Sequence, residues 1–409
     1  MRRGLGVLLH ITSLPDGNFS KSAFDFVDFL ANAGVKYWQI LAAGPTCGGD
    51  SPYSPLSVFA GNPKFIDSSR TQTDEKRFSA FQKENNYWLG GFVDFMAKRD
   101  PKTNHALLQF HFFEQWAELR KYANSKGIKI IGDIPIYTAS DSADVVAFKE
   151  QFDFTGVAGV PPDYFSETGQ LWGNPLYNWT LMARQKYKWW VERMKQMQKM
   201  YDIVRIDHFR AFDTYYKIPV GEMDAKKGKW HKGPGMKIFD AISSAVPKLD
   251  IILEDLGDLT PSVLKLRDDT GFPGMKVMQF GFDGTHTNEH LPNTYIKNCV
   301  GYIGTHDNDT FVGFLKSASK ETRGFVDTYL SSELLGEKDT TRLAIENILA
   351  SKADIIVLSM QDLLFQDSAH RMNIPGKAFG QWKYRIKSKD LTTELSEYIQ
   401  LLAQRSDRC

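Results

Sequence analysis

Eight short apolar runs, spread along the chain and separated mostly by helical patterns, restrict its fold more than any other feature. They are Gly6-Val-Leu-Leu-His-Ile11, residues 35–41, Ile128-Lys-Ile-Ile-Gly-Asp133, the start of Asp202-Ile-Val-Arg-Ile-Asp-His-Phe-Arg210, Ile251-Ile-Leu-Glu254, residues 275–282, residues 300–305 and Asp354-Ile-Ile-Val-Leu-Ser-Met360. Short runs rich in β-branched residues and bounded by turn residues read as buried strands. Between them, residues 22–33 closed by Gly34, 104–125 and 181–200 read as helices, and Thr260-Pro261 opens another with a cap followed by proline. Strands that alternate with helices build a parallel sheet, and eight of them argue for an α/β fold of the (β/α)8 barrel type. A doubly wound sheet competes, but no Gly-rich phosphate-binding fingerprint follows any run. Three longer segments, at about 44–100, 134–180 and 210–236, read as subdomains inserted into a single barrel domain spanning 1–409, and residues 134–180 among them as irregular.

The bulk properties exclude more than they assign. With 42% hydrophobic and 24% charged residues and a formal net charge of +1, nothing draws the chain to nucleic acid or an anionic membrane. No apolar run approaches the roughly 20 residues of a membrane span. Met1-Arg2-Arg3 and the apolar residues after it faintly resemble a signal sequence, but no small-residue cleavage site follows before Pro15, so the run reads as the first strand. Cys47, Cys299 and Cys409 form neither a disulfide framework nor a zinc pattern, which suits a reducing cytoplasm. Nothing in the sequence calls for a cofactor or an obligate protein partner.

The chemistry gathers at the ends of the runs. In residues 202–210 side chains alternate, so Val204 and Ile206 face one way and Arg205 and Asp207 the other. An Arg and an Asp on one face of an apolar strand are costly unless they pair or react. Asp133, Glu254, Asp283, His306 and Asp307 also end or follow runs, and catalytic groups of a barrel sit at the C-terminal strand ends. Asp255 and Asp309 read instead as caps or loop ion pairs. Such a rim suits either a metal site or a pair of glycosidic carboxylates. Arg205 favours the second, because a fixed cation competes with a divalent metal and keeps a neighbouring carboxylate ionised.

Seven motifs then carry a family resemblance. They are Gly49-Asp-Ser-Pro-Tyr53, Gly132-Asp-Ile-Pro135, Gly159-Val-Pro-Pro-Asp-Tyr-Phe-Ser-Glu-Thr-Gly-Gln-Leu-Trp-Gly-Asn-Pro175, Arg205-Ile-Asp-His-Phe-Arg210, Glu254-Asp-Leu-Gly257, Gly304-Thr-His-Asp-Asn-Asp309 and Arg371-Met-Asn373. In this order they resemble the 4-α-glucanotransferases of the amylomaltase (disproportionating enzyme) type, relatives of the α-amylases. The resemblance implies transfer of α-1,4-glucan segments between malto-oligosaccharides by a retaining mechanism, with cyclic glucans as a further product. It implies Asp207 as nucleophile, Glu254 as general acid/base and Asp307 as the carboxylate that steadies the transition state. The two reacting carboxyls of a retaining enzyme lie about 5–5.5 Å apart. Ser51, Tyr53, Asp133, Trp172, Arg205, His208, His306 and Asn373 are implied to bind substrate, with Tyr53 stacked beneath the sugar and Trp172 as acceptor platform. No metal is implied. Residues 163–170 resemble the family's loop beside the cleft, which would keep water from the intermediate.

Two departures stand out. Residues 67–107 are shorter than in the longer bacterial relatives, and Gly380-Gln-Trp-Lys-Tyr-Arg385 stands where the family pattern has Gly-Asn-Trp-x-Trp-Arg. Both bear on the outer subsites. A glucan hydrolase that seldom transfers, a metal-dependent barrel enzyme and a silent glucan-binding protein remain as alternatives.

Overall fold

The computed structural model describes residues 1–409 except 47–49, 163–165, 258 and 378. Among the described residues the strands are, in chain order, β1 (Gly4–Leu8), β2 (Tyr37–Gln39), β3 (Lys129–Ile134), β4 (Phe152–Val160), β5 (Gln170–Tyr177), β6 (Ile203–Ile206), β7 (Thr214–Pro219), β8 (Lys229–Lys232), β9 (Asp250–Leu253), β10 (Gly274–Val277), β11 (Cys299–Tyr302) and β12 (Ile355–Ser359). Eight of them form one sheet in the order β10-β11-β12-β1-β2-β3-β6-β9, every recorded pairing parallel, and the architecture is a (β/α)8 barrel. Each of the eight expected runs supplies one of these strands. Their side chains are buried almost throughout, as a parallel sheet covered on both faces requires.

Most of the strands are shorter than the apolar runs. The run at 275–282 leaves the ladder after Val277, and Met278–Gly281 coils into a 3-10 turn. Apolar residues continue past the strand because the turn is buried too, so hydropathy alone does not mark the end. The helical pattern at 181–200 divides into Trp179–Arg184 and Lys188–Met200, since Lys186 and Tyr187 both take left-handed backbone.

The chain divides into two compact units. The first (Met1–Leu41, Leu119–Ile131, Pro273–Cys409) holds β1, β2 and β10 to β12, with β1 paired to β12 over five residues. Gly34, at φ 71°, ends the helix Lys21–Asn32 and turns the chain back towards β2. The second (Ala42–Glu118, Gly132–Phe272) holds β6 paired with β9 and a separate antiparallel sheet in the order β5-β4-β7-β8. Residues 134–180, expected to be irregular, supply two strands of that sheet, β4 and β5. Its strands carry glycines and register shifts between Asp153 and Gly159, and β8 is exposed along its length, so the alternation that marks a strand is blurred. Within the second unit Gly132 has no spare room, because a Cβ there would lie 2.3 Å from the ring of Tyr201. The strand end that delivers Asp133 is seated by that contact. Among the described residues no helix is long and apolar enough to cross a membrane.

Candidate active site

The second unit assembles its polar groups on the ends of β3, β6 and β9. Ile206 pairs with Leu253, so Asp207 and Glu254 are the next residues on adjacent strands. The Asp207 N–H donates to Ile134 O at 3.0 Å, and the Glu254 N–H to Ile206 O at 3.0 Å, which fixes both backbones. Arg205 Nη1 donates to both oxygens of Asp133 (2.7 and 2.8 Å) and to Asp207 Oδ1 (2.9 Å). Burial works against the Arg205 charge, but Asp133 and then Asp207 outweigh it and hold the guanidinium well above its ordinary value. The Asp207 carboxylate therefore sits beside a permanent cation with 30% of its side chain open.

Glu254 behaves oppositely. Burial, then the charge of Asp207, raise its carboxyl well above the usual range, against Arg205 and a 2.6 Å bond from the His208 N–H to Oε2. Of these two adjacent carboxyls, Asp207 lies beside the cation and Glu254 is kept as an acid. The His208 imidazole, pushed down to about 3 by burial and Arg210, stays neutral and meets Trp172 edge-on at 4.8 Å. Trp172 is 37% exposed, so it is not core filling. Tyr53 OH donates to Asp133 Oδ2 at 2.7 Å, and the Ser51 Oγ accepts the Tyr53 N–H at 3.3 Å, shaping the turn that carries the ring.

The first unit carries the other acidic motif. His306 is buried, whereas the Asp307 side chain is 48% exposed, and His306 Nε2 lies 3.5 Å from Asp307 Oδ2. Asn373 Nδ2 donates to Asp307 Oδ1 at 2.6 Å. Arg371 donates to the main-chain oxygens of Asp307 (2.9 Å) and Asn373 (3.1 Å), so one guanidinium aligns both residues. A cleft of about 440 Å³ is lined here by His10, Ser13, Thr305, His306, Asp309 and Arg371, among others. Burial and His306 push His10 down to about 3, leaving it neutral. Among the described residues no group of three His, Cys, Asp or Glu side chains is placed to hold a metal.

Sequence and structure comparisons decide the family. The sequence model described as 4-alpha-glucanotransferase matches residues 9–74 and 98–392. The chain belongs to the 4-alpha-glucanotransferase family. It is 38% identical to the 4-alpha-glucanotransferase of Clostridium butyricum, over 98% of this chain and 100% of that protein. The Thermus thermophilus 4-alpha-glucanotransferase is 36% identical over 99% of both. The solved amylomaltase of Streptococcus agalactiae, in complex with acarbose, superposes with a TM-score of 0.93 at 33% identity and full coverage of both chains. An α-amylase of Lactobacillus plantarum, 11% identical with a TM-score of 0.55 over 98% of this chain and 79% of that one, shares the fold.

In this member of the 4-alpha-glucanotransferase family, the second unit gathers Tyr53, Asp133, Trp172, Arg205, Asp207, His208 and Glu254, and the first gathers His306, Asp307 and Asn373. Asp133, expected to hydrogen-bond the sugar, has no exposed side-chain surface here and bonds Arg205 and Tyr53. Asp283, expected on the rim, lies past the 3-10 turn and closes its own loop through the Thr285 N–H and Asn288, both at 2.8 Å. Asp255 pairs with Arg267 at 2.9 Å and Asp309 accepts from Ser368 at 2.7 Å, the structural roles expected of them. Gly49 of the first motif, Cys47, and Asp163 to Phe165 of the expected loop lie outside the described residues. Arg371 was missed as a site residue although it opens the motif that contains Asn373. His10 was missed because it stands in an apolar run with no other polar signal.

Proposed function

We propose that this chain is a retaining 4-alpha-glucanotransferase that moves α-1,4-glucan segments between malto-oligosaccharides. The observation that carries this reading is the pair Asp207 and Glu254, directly following paired strands, the first bonded to Arg205 and the second biased to its acid form. Asp207, ionised beside Arg205, attacks the anomeric carbon. Glu254 gives its proton to the departing glycosidic oxygen, and a β-linked glycosyl-enzyme forms as the shortened glucan leaves. A hydroxyl of an incoming glucan then attacks the same carbon, Glu254 takes its proton, and the bond to Asp207 breaks. Asp307, held by Asn373, serves the sugar hydroxyls and the oxocarbenium-like charge of both transition states. Trp172 offers a face on which the acceptor stacks, so that sugar outcompetes water. The acarbose complex of the Streptococcus agalactiae relative supports the substrate class. The sparse, scattered cysteines support a reducing, cytoplasmic setting.

The test is maltotriose with product sizing. Disproportionation yields glucose together with longer oligomers, unchanged by a chelator. Glucose and maltose alone, with nothing longer than the substrate, would overturn transfer in favour of hydrolysis. Loss of turnover on chelation would point to the metal-dependent alternative.

A further inference from the structure

The residue after the nucleophile has backbone that its chemistry alone does not explain. His208 sits at φ 50° and ψ 50°, the left-handed region that non-glycine residues rarely occupy. It stands between the end of β6 and the buried 3-10 turn Phe209–Phe212, and two consecutive N–H groups there face Glu254, the residue that follows β9. The His208 N–H reaches Glu254 Oε2 at 2.6 Å, and the Phe209 N–H reaches Glu254 O at 3.0 Å. Successive N–H groups around a left-handed residue form a concavity suited to an oxygen anion. A helical or extended residue 208 would point one of the two elsewhere. The imidazole packs edge-on against Trp172 at 4.8 Å and so braces the turn from outside.

We propose that His208 is a positioning residue for Glu254 that acts through its main chain: its left-handed turn aims the N–H at the carboxyl, and its ring, lodged against Trp172, keeps the turn in place. This rests on the reading of Glu254 as general acid/base. The groups whose charges act on Glu254 are Asp207, Arg205 and Asp255, and the His208 N–H is a neutral donor against that field. The proposed duty is separate from any bond between the imidazole and sugar.

The experiment separates backbone from side chain with four variants, His208→Gly, His208→Asn, His208→Ala and His208→Val. All four lose the imidazole, so a sugar contact is lost equally and KM moves together. They differ in how readily residue 208 holds a positive φ, which is easy for Gly and Asn and strained for Ala and Val. The expected result on maltotriose is that kcat for Ala and Val falls about tenfold below Gly and Asn. The basic limb of their kcat/KM profile also moves to higher pH, because the lost N–H bond favoured ionised Glu254. Thermal unfolding of each variant is recorded alongside. Four variants alike in kcat and in basic limb, or differing in stability alone, would overturn the proposal; if His208→Val does not fold, the Asn and Ala pair decides. Failure of the underlying reading looks different, since Glu254→Gln would then retain activity whatever the His208 series shows.

Discussion

The surroundings of Asp207 and Glu254 and those of Asp307 solve the same problem, holding a carboxylate in place, by different means. Asp207 and Glu254 directly follow β6 and β9, their N–H groups bonded to neighbouring strands. The cation between Asp207 and Asp133 is nearly sealed, with 4% of its side chain exposed. Asp307 lies five positions beyond the end of β11, in a loop closed by the Thr305 N–H to Asn308 at 2.9 Å. Its carboxylate is half open and accepts from Asn373, while Arg371 holds its main-chain oxygen, both from far along the chain. In the proposed mechanism the groups that make and break bonds are built on the rigid ladder, and the group that answers only to charge and hydroxyls is mounted on a loop.

The largest expected effect probes this division. Asp207→Asn and Glu254→Gln cut kcat on maltotriose by ~10⁴-fold or more, as removal of a reacting group does. Azide separates the two regions. With an activated donor such as an α-maltosyl fluoride, whose leaving group needs no proton, it restores turnover to Glu254→Ala, where a small anion attacks the glycosyl-enzyme without a base, and does not restore Asp307→Ala, where no bond-forming group is missing. Rescue of both would erase the distinction. In the unmodified enzyme the required form of Glu254 is the acid, so activity falls as pH rises through its raised pKa. The basic limb is therefore expected above the ordinary glutamate range, and a limb inside that range would contradict the burial argument.

The two regions also differ in how plainly the sequence announced them. The eight barrel strands were legible because parallel strands are covered on both faces and leave unbroken apolar runs. Asp207 and Glu254 were legible because each ends such a run. The bond from Arg205 to Asp133 was not, since the two stand 72 positions apart and nothing local marks the closer partner. Alternation along residues 202–210 linked Arg205 only with Asp207, and so left its bond to Asp133 unseen. Arg371 and Asn373 were visible as a motif, but their hold on Asp307 depends on a loop whose shape no periodicity encodes. The sheet β5-β4-β7-β8 was hidden because exposed strands broken by glycine lose their alternation.

A pair of buried carboxylates, one in each unit, sharpens the comparison in stability. Asp144 accepts from the Val58 N–H (2.7 Å) and Ser57 Oγ (3.0 Å), and Asp362 from the Phe311 N–H (2.7 Å) and Ser359 Oγ (2.8 Å). Burial raises each to about 6. The folded protein then keeps these protons up to about pH 6, whereas the unfolded chain loses them near pH 4, so stability falls as pH rises across that window. The loss reaches ~3 kcal/mol per group at most. Asp144→Asn and Asp362→Asn should each flatten that share of the slope in urea unfolding at pH 4, 5, 6 and 7. Their neighbours differ, since Asp144 faces Arg193 and Asp362 faces Asp309. At pH 7 Asp362→Asn should gain more, because it removes a like-charge repulsion, while Asp144→Asn takes a counter-charge from a buried arginine. Slopes that both variants leave intact would show that these carboxyls titrate normally.

The smallest expected effect contrasts one residue from each region, Trp172 and Asn373. Trp172 touches His208 by its edge, donates from Nε1 to Gln170 at 3.0 Å, and keeps 37% of its surface open. An exposed aromatic face gains nothing for folding and suits the flat side of a sugar. Trp172→Ala should therefore weaken the acceptor step, lowering the ratio of transfer to hydrolysis about fivefold, in line with the loss of about 1 kcal/mol of ring contact. Asn373 instead donates to the Asp307 carboxylate at 2.6 Å, an alignment used in both half-reactions. Asn373→Ala should lower transfer and hydrolysis together, by about fivefold, with their ratio unchanged. Products from maltotriose, counted as free glucose against longer oligomers, read both numbers from one reaction. A ratio that shifts in Asn373→Ala, or holds in Trp172→Ala, would reverse the roles given to these side chains.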